Sequence, residues 1–223
     1  MKKLYKKLEA VLDVLVACEE SQAITKQFRK LGHEAFSCDL LDASGGHPEW
    51  HIKGDALKEA YSGKYDMMIA HPPCTYLAVS GARWMYNKDG SVNQDRLQKQ
   101  KDALQFVYNL MDAPMDRIAI ENPVSVISSQ IRKPEQIIQP WQFGDEAQKT
   151  TCLWLHNLPR LKPTKIVGKG EFIEWTDKNG KKKKQAKWYL DALSKAKTNA
   201  ERRTLRSKTF QGIADAMAQQ WSL

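Results

Sequence analysis

The sequence predicts an α/β fold, a sheet with helices on both faces and a small basic β-hairpin region appended. Three observations carry that reading. The stretch Tyr65–Gly81, YDMMIAHPPCTYLAVSG, holds a short apolar run, Asp66–Ala70, with Gly63 before it and Pro72 after it. Periodicity alone does not separate such a run from a buried helix segment, but strand length and flanking breakers favour a central parallel strand. The segment 11–39 reads as strand, turn, helix, strand. A further strand, Arg117–Ile120, again ends in polar residues and a proline, Glu121-Asn122-Pro123.

In chain order, Met1–Glu9 is a charged lead-in and Val11–Ala17 the first strand. The turn Cys18-Glu19-Glu20-Ser21-Gln22 follows, then a helical pattern over Ala23–Leu31 that stops at Gly32. The strand Glu34–Cys38 closes on Asp39. Glycines, Pro48, Asp42 and Ser44 make Leu40–Lys53 a loop, and Gly54-Asp55 opens a short helix. After the central strand, Ala82–Asn93 is polar with Trp84 and Tyr86 and predicts a mobile flap. A long helix over Gln94–Met111 carries an apolar side through Leu97, Leu104, Val107 and Met111. Strands are expected at Ile137–Gln142 and Thr151–Leu155. Glu171–Trp175 and Lys182–Tyr189 flank Asp177-Lys178-Asn179-Gly180, a hairpin turn signal, so Phe172, Trp175, Trp188 and Tyr189 are expected on the hairpin. Thr209–Trp221 is an amphipathic helix.

At 223 residues and 42% hydrophobic content the chain can bury a sizeable core, and one domain with an appendage is expected. No apolar run reaches membrane-spanning length and no signal-peptide pattern is present, so a soluble, cytoplasmic protein is expected. Cys18, Cys38, Cys74 and Cys152 lie far apart without a CxxC pair, which argues against a zinc ribbon or a disulfide framework. His47 and His51 could ligate a metal with Cys38 or His33, but their spacing matches no zinc pattern, and no metal site is assigned. The +9 formal charge is concentrated. From Arg160 to Lys208 there are 16 Lys and Arg against five Asp and Glu, leaving the rest of the chain slightly acidic. Such a region suits a polyanion, although a solvated lysine-rich loop reads the same for Lys181–Lys184. Aromatic rings among these lysines suit base stacking or, equally, packing of the hairpin onto the domain.

Cys74 is placed for chemistry, because loops beyond the carboxyl ends of parallel strands are where ligands bind in open α/β sheets. An isolated cysteine is more often a small buried hydrophobe, and Asp55 can be no more than a helix N-cap. Asp39 stands about 20 residues past the first turn, where a carboxylate meets ribose hydroxyls. The first turn lacks the GxGxxG glycines, which disfavours a dinucleotide.

Taken in order, Asp39, Gly54-Asp55, Pro73-Cys74 and Glu121-Asn122 resemble the motif succession of the DNA cytosine carbon-5 methyltransferases, over most of the chain from Val11 to Met217. The resemblance implies a Rossmann-like sheet that binds S-adenosylmethionine and methylates carbon 5 of cytosine in DNA. It implies Cys74 as the nucleophile, Glu121 as the acid at ring nitrogen 3, which requires a Glu121 buried enough to take up a proton near neutral pH, and Asn122 as the residue shaping that loop. On the cofactor side it implies Cys18, Glu19, Glu20, Ser21 and Gln22 around the methionine tail, Asp39 on the ribose, Asp55 on the adenine amino group, and Pro72 and Gly212 bordering the pocket. Candidate DNA contacts are Ser80, Arg83, Gln148, Lys149, Lys181, Lys182, Lys183, Lys184, Lys187 and Arg206. The corresponding division is a catalytic domain over 1–158, a basic DNA-contacting region over 159–206, and a helix over 207–223 returning to the domain. DNA is the expected partner, with no membrane and no obligate protein partner.

The sequence departs from that family where Glu20 and Ser21 replace the first motif's glycines, and where Gln148-Lys149-Thr150-Thr151-Cys152 stands in place of arginines after a glutamine. Its recognition region, Pro159–Arg206, is small, which implies short or loose specificity and resembles the compact forms carried by phages and prophages. Two other functions fit parts of the sequence. An exocyclic-amino methyltransferase would share the prolines of His71-Pro72-Pro73-Cys74 but not its other residues. A catalytically silent nucleic-acid-binding protein would have no need of Cys74 and Glu121 together.

Overall fold

The computed structural model describes residues 11–223, so the lead-in Met1–Glu9 lies outside the described residues. Five strands run parallel: β1 (Asp13–Ala17), β2 (Glu34–Asp39), β3 (His51–Lys53), β4 (Met67–Ala70) and β5 (Arg117–Asn122). β7 (Thr151–His156) pairs antiparallel with β5, and β6 (Gln136–Ile138) antiparallel with β7. The order across the sheet is β3-β2-β1-β4-β5-β7-β6. This mostly parallel sheet flanked by helices is compatible with a Rossmann-like fold. The chain steps outward from β1 to β2 and β3, then returns to place β4 on the other side of β1. The β1/β4 boundary is therefore the topological switch point, where ligands bind in such sheets.

Alternation along the strands divides the core in two. Val14, Val16, Met67, Ile69, Ala119, Leu153 and Leu155 face one side, where they meet Ile24 and Phe28 of α1 (Ala23–Lys30) and Ile213, Met217 and Trp221 of α7 (Gln211–Trp221). Leu15, Ala17, Met68, Ala70, Ile118, Ile120 and Trp154 face the other. There they pack against α2 (Ala56–Ala60), α3 (Gln94–Met111) and α4 (Ile127–Gln130). Burial on both faces is why these strands read as continuous apolar runs. Each fully buried large side chain contributes roughly 1.5–3 kcal/mol, so α7 is an integral part of this core.

β8 (Phe172–Thr176) and β9 (Lys182–Ala186) form a separate antiparallel pair. Gly180 takes φ 75° in the connecting turn, a conformation that costs glycine nothing. α5 (Lys187–Lys195) and α6 (Asn199–Ser207) follow.

Several expected boundaries move. The loop expected over 40–53 contains a 3₁₀ turn at Pro48–Trp50 and the edge strand β3, which gains its place by pairing with β2. β5 extends through Asn122, because Glu121 and Asn122 pair with Leu153 and Cys152 of β7. The strand expected over 137–142 ends at Ile138, since Pro140 has no N–H for a ladder and starts a 3₁₀ turn instead. The second hairpin strand stops at Ala186, so Trp188 and Tyr189 sit on α5 rather than on the hairpin.

Candidate functional site

Ala17 pairs with Cys38 and with Ala70, and Ala70 pairs with Ile120. The next residues, Cys18, Asp39, His71 and Glu121, therefore form one row along the carboxyl rim of the sheet. Two loops leave this rim from β4 and β5, and they are joined. The buried Asn122 side chain donates Nδ2–H to the Pro72 carbonyl at 2.8 Å. Further along, the Val79 amide donates to the Val124 carbonyl at 3.1 Å and the Val126 amide to the Leu77 carbonyl at 3.0 Å. Leu77 is fully buried beneath them. The carbonyl of Cys74 accepts from the amides of Leu77 and Ala78, which turns the chain back just after the thiol. α3 holds the same loop from outside, with Arg96 Nη2 on the Thr75 carbonyl and Gln100 Nε2 on the Tyr76 carbonyl.

Cys74 itself is exposed. Local desolvation, followed by the negative charge of Glu121, pushes its thiol above the ordinary range, while the positive charges of Lys149 and Arg206 pull it back in part. Glu121 lies largely inside the protein, and its Oε2 is 3.1 Å from His71 Nδ1. Burial pulls its carboxyl upward, but the hydrogen bond from His71, the charge of His71 and that of Lys149 outweigh burial and hold it below the usual carboxylate range. The expectation that Glu121 takes up a proton near neutral pH is thus corrected. His71, missed as a site residue, is the reason. Its signal in the sequence was its place at the carboxyl end of the central strand, immediately before the two prolines.

Lys149, in the segment before β7, places Nζ at 3.4 and 3.2 Å from the carbonyls of Ser207 and Lys208. Arg206 stacks its guanidinium over Tyr189 at 4.5 Å. Both bring positive charge to bear on Cys74 from elements far away in sequence. The Gln148 carbonyl accepts from Trp188 Nε1 at 3.0 Å, so the aromatic face of α5 is used in docking onto this segment.

At the switch point, the candidate cofactor residues divide into two kinds. Cys18, Asp39 and Asp55 lie close enough at the carboxyl rim for the two carboxylates to act on the thiol. The Cys18 thiol is pushed up to about 12, first by burial and then by Asp39, Cys38 and Asp55. The shift reports burial first, and the neighbouring acidic groups add to it. Asp39 uses Oδ1 on the Leu41 amide, and Asp55 caps α2 through the Leu57 amide, so each keeps one carboxylate oxygen without a hydrogen bond to the described residues. Glu19 and Gln22 do something else. Both Glu19 oxygens are taken by the first turn of α1, by the Ile24 amide at 2.7 Å and by the amide and hydroxyl of Thr25. The carboxylate serves as the cap that α1 otherwise lacks, and its expected place around a ligand's ammonium group is corrected accordingly. Gln22, with φ 56°, clamps the backbone of His47 at both ends of its amide. Glu20 accepts from the Ser44 hydroxyl, and the carbonyl of Ser21 lies so close to Gly45 that a Cβ there would sit 2.5 Å from it.

Pro72 is buried at the start of the nucleophile loop. Gly212 is also misplaced by the sequence reading. Its amide donates to Asp145 Oδ2 at 2.9 Å, and a Cβ would meet the Phe143 carbonyl oxygen at 1.8 Å, so its role is close docking of α7. Ser80 and Arg83 lie exposed in the 3₁₀ segment Val79–Met85, with Arg83 over Trp84 at 4.4 Å. This segment and a short bridge between Tyr86 and Val92 make up the expected flap. Lys181, Lys182, Lys183 and Lys184 are exposed, but Lys183 pairs with Asp177, Lys184 with Glu174 and Lys187 with Glu171 across the hairpin. Part of the basic run is therefore neutralised locally.

Among the described residues, no group of three or more His, Cys, Asp or Glu could hold a metal ion. His47 stacks on Trp50 at 3.8 Å, and His51 bonds Ser37 and the Leu41 carbonyl. Among the described residues, no helix is long and apolar enough to cross a membrane. Compared with protein-family models and with curated proteins, the chain finds no match.

Proposed function

We propose that the protein is a DNA (cytosine-5)-methyltransferase, acting through a covalent adduct between Cys74 and the cytosine ring. The observation that carries this reading is that an exposed thiol on the loop after β4 and a carboxylate at the end of the adjacent strand β5, with one oxygen unbonded among the described residues, are tied together through Asn122 and Pro72. Carbon 5 of cytosine is a poor nucleophile. A thiolate that bonds to carbon 6 moves the carbon 5–carbon 6 electron pair toward carbon 5, which can then attack an electrophile. Negative charge that spreads to ring nitrogen 3 is neutralised by a proton delivered there, and Glu121 is the group in reach of the same loop. After methylation, loss of the carbon 5 proton allows the sulfur–carbon 6 bond to break and frees Cys74.

S-adenosylmethionine, when bound, supplies the electrophilic methyl group. At the switch point, the carboxylates of Asp39 and Asp55, whose charges act on Cys18 after burial, favour a cationic ligand over a polyphosphate. Asp39 and Asp55 each retain an oxygen for hydroxyl or amino hydrogens. DNA is the proposed partner, since Lys149, Arg206 and the exposed lysines of the hairpin supply positive charge for phosphates. A cytosine inside a duplex is out of reach, so the target base is flipped or presented single-stranded.

The test is incubation with S-adenosylmethionine and DNA carrying 5-fluorocytosine, whose fluorine cannot leave as a proton does. A denaturation-resistant adduct is expected with the natural chain and none with Cys74→Ser. If neither single- nor double-stranded substrate is trapped, the proposal fails.

A further inference from the structure

Glu121 is held from one side only. Oε2 is bonded to His71, whereas Oε1 has no partner among the described residues and is not sealed from solvent. His71 is itself fixed, because its amide donates to the Ala17 carbonyl at 2.9 Å and its ring lies mostly inside the protein. Its Nε2 is buried with no hydrogen-bond partner among the described residues, so Nδ1 is the nitrogen engaged there. Among the described residues, the imidazole's side-chain hydrogen bond goes to Glu121.

We propose that His71 is the positioning residue of the site: by holding Oε2 it orients Glu121 so that Oε1 relays the proton of the Cys74 thiol to ring nitrogen 3 of cytosine. This rests on the carbon-5 reading above. The relay balances. The S–H bond breaks as the S–C6 bond forms, the proton passes to Oε1, and it leaves Oε1 for nitrogen 3 as that atom gains electron density from the ring. His71 is not a carrier in this relay. The first transfer is uphill when taken alone, because a thiol that holds its proton tightly faces a weakly basic carboxylate. It completes because nitrogen 3 becomes strongly basic as the adduct forms. On elimination the same path runs in reverse and restores the thiol.

Three groups act on this path from different elements: His71 from the end of β4, Lys149 from the segment before β7, and Arg206 from α6. Cys152 of β7 also faces Glu121, which raises its thiol after burial. Removal of His71 alone leaves burial as the dominant influence on Glu121.

The experiment compares the natural chain with His71→Ala and with His71→Asn, whose amide can replace Nδ1–H. Two readouts are taken: the pH titration of the Glu121 carboxyl carbon by NMR in ¹³C-glutamate-labelled protein, with Glu121→Gln to assign the signal, and the rate of trapping by 5-fluorocytosine DNA. In His71→Ala the Glu121 midpoint moves upward and trapping slows about a hundredfold, the scale of general acid–base contributions. His71→Asn restores both. An unmoved midpoint, or a moved midpoint with an unchanged trapping rate, overturns the assignment of His71. If the natural chain is not trapped at all, the carbon-5 reading and the relay fall together, and the NMR titration still decides whether His71 governs Glu121.

Discussion

Asn122 Nδ2 lies 2.8 Å from the carbonyl oxygen of Pro72, a bond between residues 50 positions apart that fixes the acid-bearing strand to the nucleophile-bearing loop. Pro72 has no N–H of its own to tie this turn down. Asn122→Ala leaves a buried carbonyl without a donor, which costs about 1–3 kcal/mol. At roughly 2–4 °C per kcal/mol for a chain of this size, thermal unfolding should shift down by several degrees. Trapping by 5-fluorocytosine DNA should fall more steeply than stability, because the two loops then move independently.

The Cys74 thiol provides a signed pH test. Desolvation and then Glu121 raise it, whereas Lys149 lowers it. The rate of iodoacetamide alkylation at Cys74 should therefore still be climbing above the usual thiol range, roughly pH 8.5. Glu121→Gln should move the midpoint down and Lys149→Gln should move it up. Mass spectrometry of the alkylated peptide separates Cys74 from Cys18, Cys38 and Cys152.

Asp55 has two roles that substitution can separate. As the N-cap of α2 it accepts from the Leu57 amide at 2.9 Å, and loss of such a cap costs about 0.5–2 kcal/mol. Asp55→Ala should lower both stability and S-adenosylmethionine affinity. Asp55→Asn caps equally well, so by denaturant titration it should unfold like the natural chain. By calorimetry it should still bind the cofactor more weakly, because the negative charge is gone.

Gly212→Ala tests the docking of α7. The added Cβ would overlap a backbone oxygen of Phe143, which cannot swing aside as a side chain could. Overpacking of this kind costs about 3 kcal/mol. The thermal midpoint should fall by roughly 6–12 °C, and Gly212→Ser, which adds the same Cβ, should be tolerated no better.

The sheet was largely legible because strands buried on both faces advertise themselves as apolar runs, and prolines mark where β4 and β5 end. Glu121 and Cys74 could be picked out for the same reason. What escaped were partnerships made across the fold. His71 and Glu121 are 50 residues apart, and no local pattern pairs them. Glu19 looked open to a ligand because nothing in the turn shows that α1 lacks a side-chain cap of its own and draws this carboxylate inward. Trp188 and Tyr189 followed a strand pattern, but their rings find better burial on α5, against Phe210 and beneath Arg206. α6 was legible and overlooked, since Thr198 and Glu201 form a reciprocal capping box at its start.

The packing of α7 on α1 has a consequence for biosynthesis. The side of the sheet formed by Val14, Val16, Met67 and Ile69 is covered in large part by Ile213, Met217 and Trp221. While the ribosome is still making the hairpin region, that apolar surface is open to water and to other nascent chains. Closure must wait until the eleven residues of α7 have cleared the exit tunnel. A stop codon before Gln211 should therefore yield aggregated product rather than a shorter folded domain.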